Sequence, residues 1–493
     1  MSAATPVPDL RATLPLVPWP SAVEALDAPV AGLAVVRLDA PDDELRELAA
    51  ELLVAAGAQV DPAATVSVAL SLDADAGPAG SASPERYTLR VTSDGVVATA
   101  PERVGLLHAV RTLRQLLGGT GGPDAVPAVV VRDAPRYRWR GLSLDVVRHF
   151  FGPADLRAVV DLVAAFKLRV LHLHLTDDQG WRIELPSRPE LTEKASQTQV
   201  GGGPGGYLTG AEFRDLQRYA AARFVTVVPE IDLPGHVNAA THTYGDLNPD
   251  GRPTDVYEGI EVGFSRLWLD LPATEPFLRD VLGDLARLTD GPYVHVGGDE
   301  VHTMDAAEYA RFVERAGSIV RDAGKTPVMW QEAARGTLAP GTLAPGTLLQ
   351  YWDPKADREP FVDAARAGAR FIMSAADHAY LDMKYTPEHP LGLDWAGCVE
   401  LRDAYEWEPE EVIPGLPADS VEGVSAAVWT ETLTTRDELF SMLLPRLPAV
   451  AEVAWTAPAS KDWAAFRARV AGQAPAWREA GWEFHPTPQV DWP

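Results

Sequence analysis

The chain has 493 residues, 46% of them hydrophobic, and a formal net charge of -27 at pH 7. This length exceeds the size at which a single hydrophobic core stops growing, so we expect two domains, one of them large. The ordinary hydrophobic fraction excludes general disorder. The strong negative charge argues against nucleic acid and anionic membrane surfaces as partners, because such a charge repels both.

The single cysteine, Cys398, excludes an intramolecular disulfide framework. The absence of such a framework is typical of a reducing compartment, although many secreted proteins also lack disulfides. The N-terminus lacks a basic region followed by a continuous apolar segment, and no stretch approaches about 18 uninterrupted apolar residues. We therefore expect a cytoplasmic protein without a membrane span, unless a leader has been removed.

The N-terminal part has the pattern of a small α+β domain. Residues 87–99 form two alternating runs joined by a turn that ends at Gly95, which predicts a β-hairpin. Residues 104–117 predict an amphipathic helix that covers one face of a sheet. Its apolar stripe consists of Leu106, Val110, Leu113 and Leu117. We predict a non-catalytic α+β domain over residues 1–133.

From about residue 136 onward, short apolar runs alternate with helical patterns. The runs are 168–176, 224–232, 293–300, 326–332, 348–352, 369–374 and 424–431. Thr209 and Glu212 form a capping box for the helix that leads into the second run. Strands separated by helices favour a parallel sheet, and the remaining length accommodates roughly eight units of a (β/α)8 barrel. We predict this barrel over residues 134–493. The alternative is an open doubly wound sheet, but the sequence has no GxGxxG motif after an early strand.

A tandem repeat, GTLAPGTLAPGTL, occupies residues 336–348 between two of the runs. It is too short for a solenoid, and its Pro and Gly content predicts a loop extension. We expect it to lengthen a loop at the rim of the barrel and to have no function of its own.

Polar residues collect where the apolar runs end. The run ends contain Asp177-Asp178, Glu230-Ile231-Asp232, Asp299-Glu300, Trp330-Gln331-Glu332, Trp352-Asp353 and Trp429-Thr430-Glu431. In a barrel, the carboxyl ends of the strands carry the active residues, and stability alone does not require acids at so many of them. Carboxylates bind sugar hydroxyls, and indoles pack against the apolar faces of sugar rings. The pattern therefore predicts a sugar site.

The adjacent acids Asp299 and Glu300 follow a run that ends in two glycines. Crowded carboxylates repel and burial disfavours ionisation, so one acid of such a pair can hold its proton while the other stays ionised. The protonated acid can then donate to a glycosidic oxygen. The alternative is a pair of solvated acids at a strand end, or one acid that caps the next helix. The glycines favour a site, because they let the backbone turn tightly.

His172 and His174 lie two residues apart in a predicted strand and point the same way. They are either the start of a zinc site or a pair of hydrogen-bonded histidines inside the barrel. The 11 histidines offer no second tight cluster, only His236 after a Pro-Gly pair and scattered others. A zinc hydrolase is therefore an alternative.

Several segments resemble family 20 of the glycoside hydrolases, the β-N-acetylhexosaminidases. They are LDVVRHFF (144–151), LHLHLTDDQGWRIEL (171–185), PEIDLPGH (229–236), YVHVGGDE (293–300), AYLDMKY (379–385) and AAVWTETL (426–433), in this order. The resemblance spans 136–455, and HVGGDE in this company is highly specific. The N-terminal hairpin and helix also resemble the small α+β domain that precedes the barrel in this family.

The resemblance implies catalytic roles for five residues. Glu300 corresponds to the general acid/base, and Asp299 to the carboxylate that orients and polarises the 2-acetamido group of the substrate. Tyr380 corresponds to the tyrosine that hydrogen bonds the acetamido carbonyl oxygen. Asp177 and His236 resemble a relay behind Glu300, in which the histidine binds the acid/base and the second acid holds the histidine.

The resemblance also implies sugar-binding roles. Arg148 corresponds to the arginine that holds the ring 3- and 4-hydroxyl groups. Asp382 and Glu431 resemble the acids at the 4- and 6-hydroxyl end. The aromatic walls around the acetamido methyl group and the sugar face would be Trp330, Trp352 and Trp429.

These roles imply an exo-acting, retaining enzyme that removes terminal β-linked GlcNAc or GalNAc from oligosaccharides or glycoconjugates. The acetamido oxygen of the substrate would act as nucleophile and form an oxazolinium ion, and no metal or cofactor would be needed. Four alternatives remain open at this point. They are a disaccharide-releasing member of the family, an inactive sugar-binding protein, a zinc hydrolase and a conventional two-carboxylate glycosidase.

Overall fold

The computed structural model describes residues 10–119, 121–335 and 343–493. The strands in chain order are β1 (Ala22–Ala25), β2 (Val35–Asp39), β3 (Gln59–Val60), β4 (Ser67–Leu72), β5 (Tyr87–Thr92), β6 (Gly95–Ala100), β7 (Val129–Asp133), β8 (Trp139–Asp145), β9 (Val170–His174), β10 (Thr176–Asp177), β11 (Gly180–Trp181), β12 (Thr226–Glu230), β13 (Tyr293–His295), β14 (Thr326–Trp330), β15 (Leu348–Tyr351), β16 (Arg370–Met373) and β17 (Val421–Val428). The α-helices are α1 (Leu10–Thr13), α2 (Asp43–Val54), α3 (Arg103–Leu117), α4 (Pro153–Ala165), α5 (Glu190–Ala195), α6 (Gly210–Ala222), α7 (Asn238–Thr243), α8 (Thr274–Leu288), α9 (Ala306–Asp322), α10 (Glu359–Arg366), α11 (Ala376–Ala379), α12 (Leu401–Tyr405), α13 (Arg436–Leu443), α14 (Arg446–Trp455), α15 (Trp463–Ala471) and α16 (Ala474–Glu479). Short 3-10 helices cover Gly122–Asp124, Gly245–Leu247, Gln331–Ala334, Ala418–Ser420 and Pro458–Ser460.

The chain divides into two compact units. The first contains the residues through Arg138, Ala165–Lys167 and Leu444–Pro493, and the second contains Trp139–Ala164 and Leu168–Leu443. The sequence prediction places the C-terminal 50 or so residues with the barrel, whereas their packing groups them with the N-terminal unit. Trp455 shows why, because its Nε1 donates to Asp133 Oδ1 at 3.0 Å inside that unit.

A seven-stranded mixed sheet in the order β1-β7-β5-β6-β4-β2-β3 forms the first unit. The predicted hairpin is confirmed, since β5 and β6 pair antiparallel with Thr92 opposite Gly95. A Cβ at Gly95 would lie 2.6 Å from Ser67 O, so a larger residue does not fit this turn. The predicted helix is α3, whose apolar stripe is buried and packs against both strands.

The second unit is a closed barrel of eight parallel strands, in the order β12-β13-β14-β15-β16-β17-β8-β9. The barrel prediction is thus confirmed, and the open-sheet alternative is wrong. The seven predicted runs supply seven strands, and β8 is the eighth. Apolar side chains in the first three positions of their strands fill the interior: Trp139, Val170, Val228, Val328, Leu348 and Ile372.

Helices connect the barrel strands as the sequence predicts. Thr209 and Glu212 form the predicted capping box at the start of α6, which leads into β12. Of the GTLAP repeat, residues 336–342 lie outside the described residues, and its last residue, Leu348, begins β15. Across the described ranges we find no helix with the length and apolar character needed to cross a membrane.

Candidate active site

A cavity of about 420 Å³ lies at the carboxyl ends of the barrel strands. Seven of the eleven predicted site residues line it: Arg148, Asp299, Glu300, Trp352, Tyr380, Trp429 and Glu431. Each of them follows the end of a barrel strand, so the parallel order of the strands brings together side chains that are far apart in sequence.

The turn after β13 carries the two central acids. Gly297 and Gly298 adopt φ angles of 73° and 113°, and Gly298 N donates to Asp232 Oδ1 at 3.1 Å. A Cβ at Gly297 would lie 1.8 Å from the same oxygen, so only glycine allows the chain to wrap this carboxyl. Glu300 follows with a φ of 51°, a left-handed conformation that costs energy in a non-glycine residue. The turn therefore places Asp299 and Glu300 side by side at the cavity.

Behind Glu300 lies a buried histidine. His236 Nε2 is 3.4 Å from Glu300 Oε2 and 3.8 Å from Asp299 Oδ2. His236 Nδ1 is 3.1 Å from Asp177 Oδ1. Burial alone would lower the pKa of His236, but the charges of Asp177 and Asp299 raise it well above its usual value. The structure thus brings together the three residues of the predicted relay, with a cationic histidine between its acids.

Asp177 also contacts the predicted sugar-binding arginine. Arg148 Nη2 is 2.7 Å from Asp177 Oδ2, and its guanidinium lies 5.0 Å from the centre of the Trp429 ring. Asp145, at the end of β8, holds this segment by accepting from the backbone N–H of Arg148 at 3.2 Å and of Thr430 at 3.0 Å. Among the described residues, Arg148 Nε and Nη1 have no hydrogen-bond partner. Nη1 lies 3.5 Å from Asp145 Oδ2, beyond a good hydrogen bond, so the N–H groups of both nitrogens remain unused within the described residues.

Asp299 is buried beside Asp232. Burial and the charge of Asp299 raise the pKa of Asp232 well above its usual range, so a proton held by this pair resides on Asp232. Burial also raises the pKa of Asp299, against the opposing charge of His236. With the proton of the pair on Asp232, Asp299 is the ionised member. Its Oδ1 has no hydrogen-bond partner within the described part of the chain.

Aromatic rings form the walls of the cavity. Tyr380 stacks on Trp352 with ring centres 6.3 Å apart, and Trp429 lies 6.3 Å from Tyr380 on another side. Trp395 meets both Trp352 and Tyr380 edge-on, at 5.7 and 5.8 Å. Such a set of rings suits the apolar face of a sugar ring or a methyl group.

Two further, half-buried acids have raised pKa values. Burial raises the pKa of Glu431 to about 7, although Arg148 opposes this. Burial and Asp299 raise the pKa of Glu332 to about 8, and Glu332 Oε2 accepts from Trp352 Nε1 at 3.2 Å. Two carboxyl groups near the cavity thus have pKa values raised toward neutral pH, which is typical of a catalytic site.

The family model described as glycosyl hydrolase family 20, catalytic domain, matches residues 137–458, and the model for domain 2 of the same family matches residues 13–134. The chain belongs to glycosyl hydrolase family 20. A β-N-acetylhexosaminidase from Cellulomonas fimi is 60% identical over 410 residues, or 83% of this chain and 82% of that protein. A mutant Streptomyces plicatus β-hexosaminidase in complex with the product GlcNAc is 42% identical, with a TM-score of 0.90 over 98% of this chain and 100% of that one. An exo β-N-acetylglucosaminidase from Vibrio harveyi, in complex with N-acetylglucosamine, is 28% identical, with a TM-score of 0.82 over 96% of this chain and 78% of that one.

Four predicted site residues of this family 20 chain do not line the cavity. Asp177 and His236 lie behind it, as a relay requires. Trp330 differs from its predicted place as a wall: it is 1% exposed, because its Nε1 donates into the barrel to Glu230 Oε1 at 2.8 Å, and its ring packs beneath Trp429. Asp382 is also 1% exposed and lies outside the lining.

Some residues of the site were missed at the sequence level. Trp395, Ile260 and Val262 line the cavity from long loops that show no periodicity, so no local pattern marks them. Asp232 and Glu332 do carry a signal, since both end apolar runs that the sequence singles out. Their pairing with Asp299 and Trp352 depends on the barrel and has no signature in the sequence.

Buried acids and histidines of this family 20 barrel lie close enough to one another to share an ion. Among the described residues the groups are His172/Glu230/His295, His174/Glu230/Asp232, Asp177/Asp178/His236 and Asp232/His236/Asp299, each with donor atoms within 4.8 Å. Hydrogen bonds explain why the two histidines considered for zinc lie close to Glu230: His172 and His174 both contact Glu230 Oε2 at 2.8 Å. The absence of a cofactor stays a prediction.

Proposed function

We propose that this family 20 enzyme is an exo-acting β-N-acetylhexosaminidase that removes a terminal β-linked N-acetylhexosamine with retention of configuration. One observation carries the proposal: Asp299, with an unpartnered carboxylate oxygen, and Glu300 stand side by side in one cavity with aromatic walls. The GlcNAc complexes of the Streptomyces plicatus and Vibrio harveyi relatives support a single N-acetylhexosamine as the bound sugar.

The free polar groups of the cavity match the polar groups of that sugar. The nitrogens Nε and Nη1 of Arg148 suit neighbouring ring hydroxyls, because a guanidinium presents its donors as a fork. Glu431, which also lines the cavity, offers acceptors for a further hydroxyl. Trp352, Tyr380 and Trp429 surround the space for the acetamido methyl group and the sugar face.

In the first step, the acetamido oxygen attacks the anomeric carbon while the bond to the leaving-group oxygen breaks. Glu300 gives its proton to that oxygen, and the product is a leaving alcohol and an oxazolinium ion. The carboxylate of Asp299 accepts from the acetamido N–H and stabilises the positive charge that develops there. Tyr380 donates to the acetamido oxygen and fixes its direction. Attack from within the same sugar has a large proximity advantage.

In the second step, the carboxylate of Glu300 takes a proton from water, and the resulting hydroxide adds to the anomeric carbon. The oxazolinium ring opens and the acetamido group is restored. Two inversions at one carbon give net retention. Asp232, whose pKa is raised well above its usual range, takes the proton of the pair and so favours the ionised form of Asp299.

Release of p-nitrophenol from the β-glycosides of GlcNAc, GalNAc and glucose tests the proposal. We expect cleavage of the acetamido sugars and none of the glucoside, with strong inhibition by a thiazoline that mimics the oxazolinium ion. The Asp299→Asn variant should lose about 10²–10³-fold in kcat, since one electrostatic contact to the reacting group is removed. Equal cleavage of the glucoside would support a conventional two-carboxylate enzyme. Cleavage of only a p-nitrophenyl disaccharide would support a disaccharide-releasing enzyme. Binding of the sugar without cleavage would support an inactive sugar-binding protein. Loss of activity with chelators would support a zinc hydrolase.

A further inference from the structure

The ring of His174 lies between two buried carboxyl groups. Its Nδ1 is 2.8 Å from Glu230 Oε2, and its Nε2 is 2.9 Å from Asp177 Oδ2. A carboxylate oxygen accepts hydrogen bonds, so both ring nitrogens carry protons when both acids are ionised. The ring also meets the cavity wall, edge-on to Trp429 with centres 4.9 Å apart.

Strand pairing fixes this arrangement. His174 ends β9 and Glu230 ends β12, and the two residues are direct partners across these parallel strands. Glu230 is 0% exposed, and Trp330 Nε1 holds its other oxygen at 2.8 Å. His174 therefore bridges two carboxyl groups, and we call this arrangement the His174 bridge. It begins at a fixed carboxylate in the barrel interior, Glu230, and ends at Asp177, the acid that contacts His236 at 3.1 Å.

We propose that His174 is a positioning residue that extends the relay behind Glu300 into the barrel, in the order Glu230, His174, Asp177, His236, Glu300. As a cation it holds Asp177 in place and shares that carboxylate with Arg148, whose Nη2 lies 2.7 Å from the same oxygen. The proposal rests on the proposed function, because the His174 bridge can affect catalysis only if Glu300 is the residue that transfers the proton.

The charges around the relay agree with a cationic His174. Burial alone would lower its pKa, but Glu230 and Asp177 on its two sides raise it to about 10. Burial and the neighbouring His295 lower the pKa of His172 to about 4, so that ring stays neutral. The charged or titratable groups facing the relay include Arg148, His172, Asp178, Arg182, Asp232, Tyr257, His295, Asp299 and Glu431.

Removal of this cation should move the pH profile in one direction. A positive charge in the relay favours the ionised form of Glu300, whereas the acid step needs its protonated form. Without the charge, Glu300 keeps its proton to higher pH. The alkaline limb of kcat/KM should therefore move upward in His174→Gln, by about half a pH unit or more. The kcat should fall about tenfold while KM changes less, because the relay is displaced and the sugar contacts remain.

His172 provides a matched control, since it lies two residues earlier in the same strand. Its Nε2 is also 2.8 Å from Glu230 Oε2, but its Nδ1 contacts Ser143 Oγ at 2.8 Å where His174 contacts Asp177. The His172→Gln variant removes a buried partner of the same carboxylate with the same substitution. It should lose stability and keep the wild-type pH profile.

The experiment measures kcat/KM against pH for wild type, His174→Gln and His172→Gln with p-nitrophenyl β-N-acetylglucosaminide. An upward shift in His174→Gln alone supports the proposal. An unchanged alkaline limb, or equal shifts in both variants, overturns it.

If His174→Gln does not fold or the wild type does not cleave this substrate, a neutron structure of the wild type decides. Deuterium on both ring nitrogens of His174 supports the bridge, and deuterium on one overturns it. A wild type without activity counts against the proposed function, whatever the neutron map shows.

Discussion

Glu300 has the two properties that a general acid needs. Its side chain reaches the cavity, and a buried histidine lies 3.4 Å behind its carboxyl group. The left-handed φ of 51° shows that the surrounding turn holds the residue in a conformation it would not choose alone. The backbone conformation therefore helps to orient the carboxyl group of Glu300, which transfers the proton.

The Glu300→Gln variant should lose about 10²–10⁴-fold in kcat/KM on a substrate with a poor leaving group, because glutamine cannot donate this proton. The GlcNAc disaccharide is such a substrate. A 2,4-dinitrophenyl glycoside needs little protonation and should be affected far less. Parallel kinetics with both substrates measure the difference, and equal losses would assign Glu300 another role.

Glu332 should link stability to pH. Its pKa is raised to about 8 in the folded protein, whereas an unfolded glutamate titrates near 4.3. The folded state therefore holds this proton more tightly, and its stability falls as the pH rises from about 4.3 to 8. The Glu332→Gln variant removes the ionisation and keeps an acceptor for Trp352 Nε1. Its Tm relative to wild type should rise between pH 5 and pH 8, and a constant difference would contradict the assignment.

At the scale of the element, the turn after β13 depends on glycine. Gly297→Ala adds the cost of a left-handed φ, roughly 1 kcal/mol, to a clash with Asp232. Gly324→Ala is the control, since its φ of 78° is similar and a Cβ there meets nothing within 4 Å. Urea unfolding should show a clearly larger loss for Gly297→Ala, together with a lower kcat because Asp232 and Asp299 move. Equal losses would show that conformation alone matters.

The elements that the sequence predicts are those with local causes. The hairpin at 87–99 follows from alternation and a glycine turn, and α6 follows from the capping box at Thr209. The barrel strands follow from apolar runs with acids at their ends. Trp395 and Ile260 lie in loops held by distant contacts, so their place at the cavity could not be predicted. Trp330 ends an apolar run, as two of the cavity tryptophans do, but its indole points into the barrel because its Nε1 donates to the buried Glu230.

At the scale of the whole molecule, the first unit is assembled from separate stretches of chain. Lys167 Nζ lies 3.1 Å from Asp133 Oδ2 and donates to Tyr87 Oη at 2.9 Å, and Trp455 donates to the same Asp133. These residues come from the β7 end, the hairpin, the segment after α4 and the C-terminal region. No local pattern reveals such a junction, which is why the sequence placed the C-terminal residues with the barrel.

The Lys167→Met variant should lose about 3–5 kcal/mol of stability, because Asp133 is left as a buried charge without its cation. The control is Lys194→Met, which breaks an exposed pair 3.9 Å from Glu190 and should change stability by less than about 1 kcal/mol. Chemical unfolding of both variants gives the comparison. Similar small losses would show that the other contacts of Asp133 suffice.

The apolar residues packed inside the barrel, Trp139 and Ile372 among them, have a kinetic consequence. A barrel filled in this way is not a pore, so everything that enters the cavity leaves through the same mouth. In the proposed reaction the alcohol departs first and makes room for water, and the freed sugar departs last. Free N-acetylhexosamine should therefore compete with substrate, and a second alcohol that reaches the mouth before water should be glycosylated.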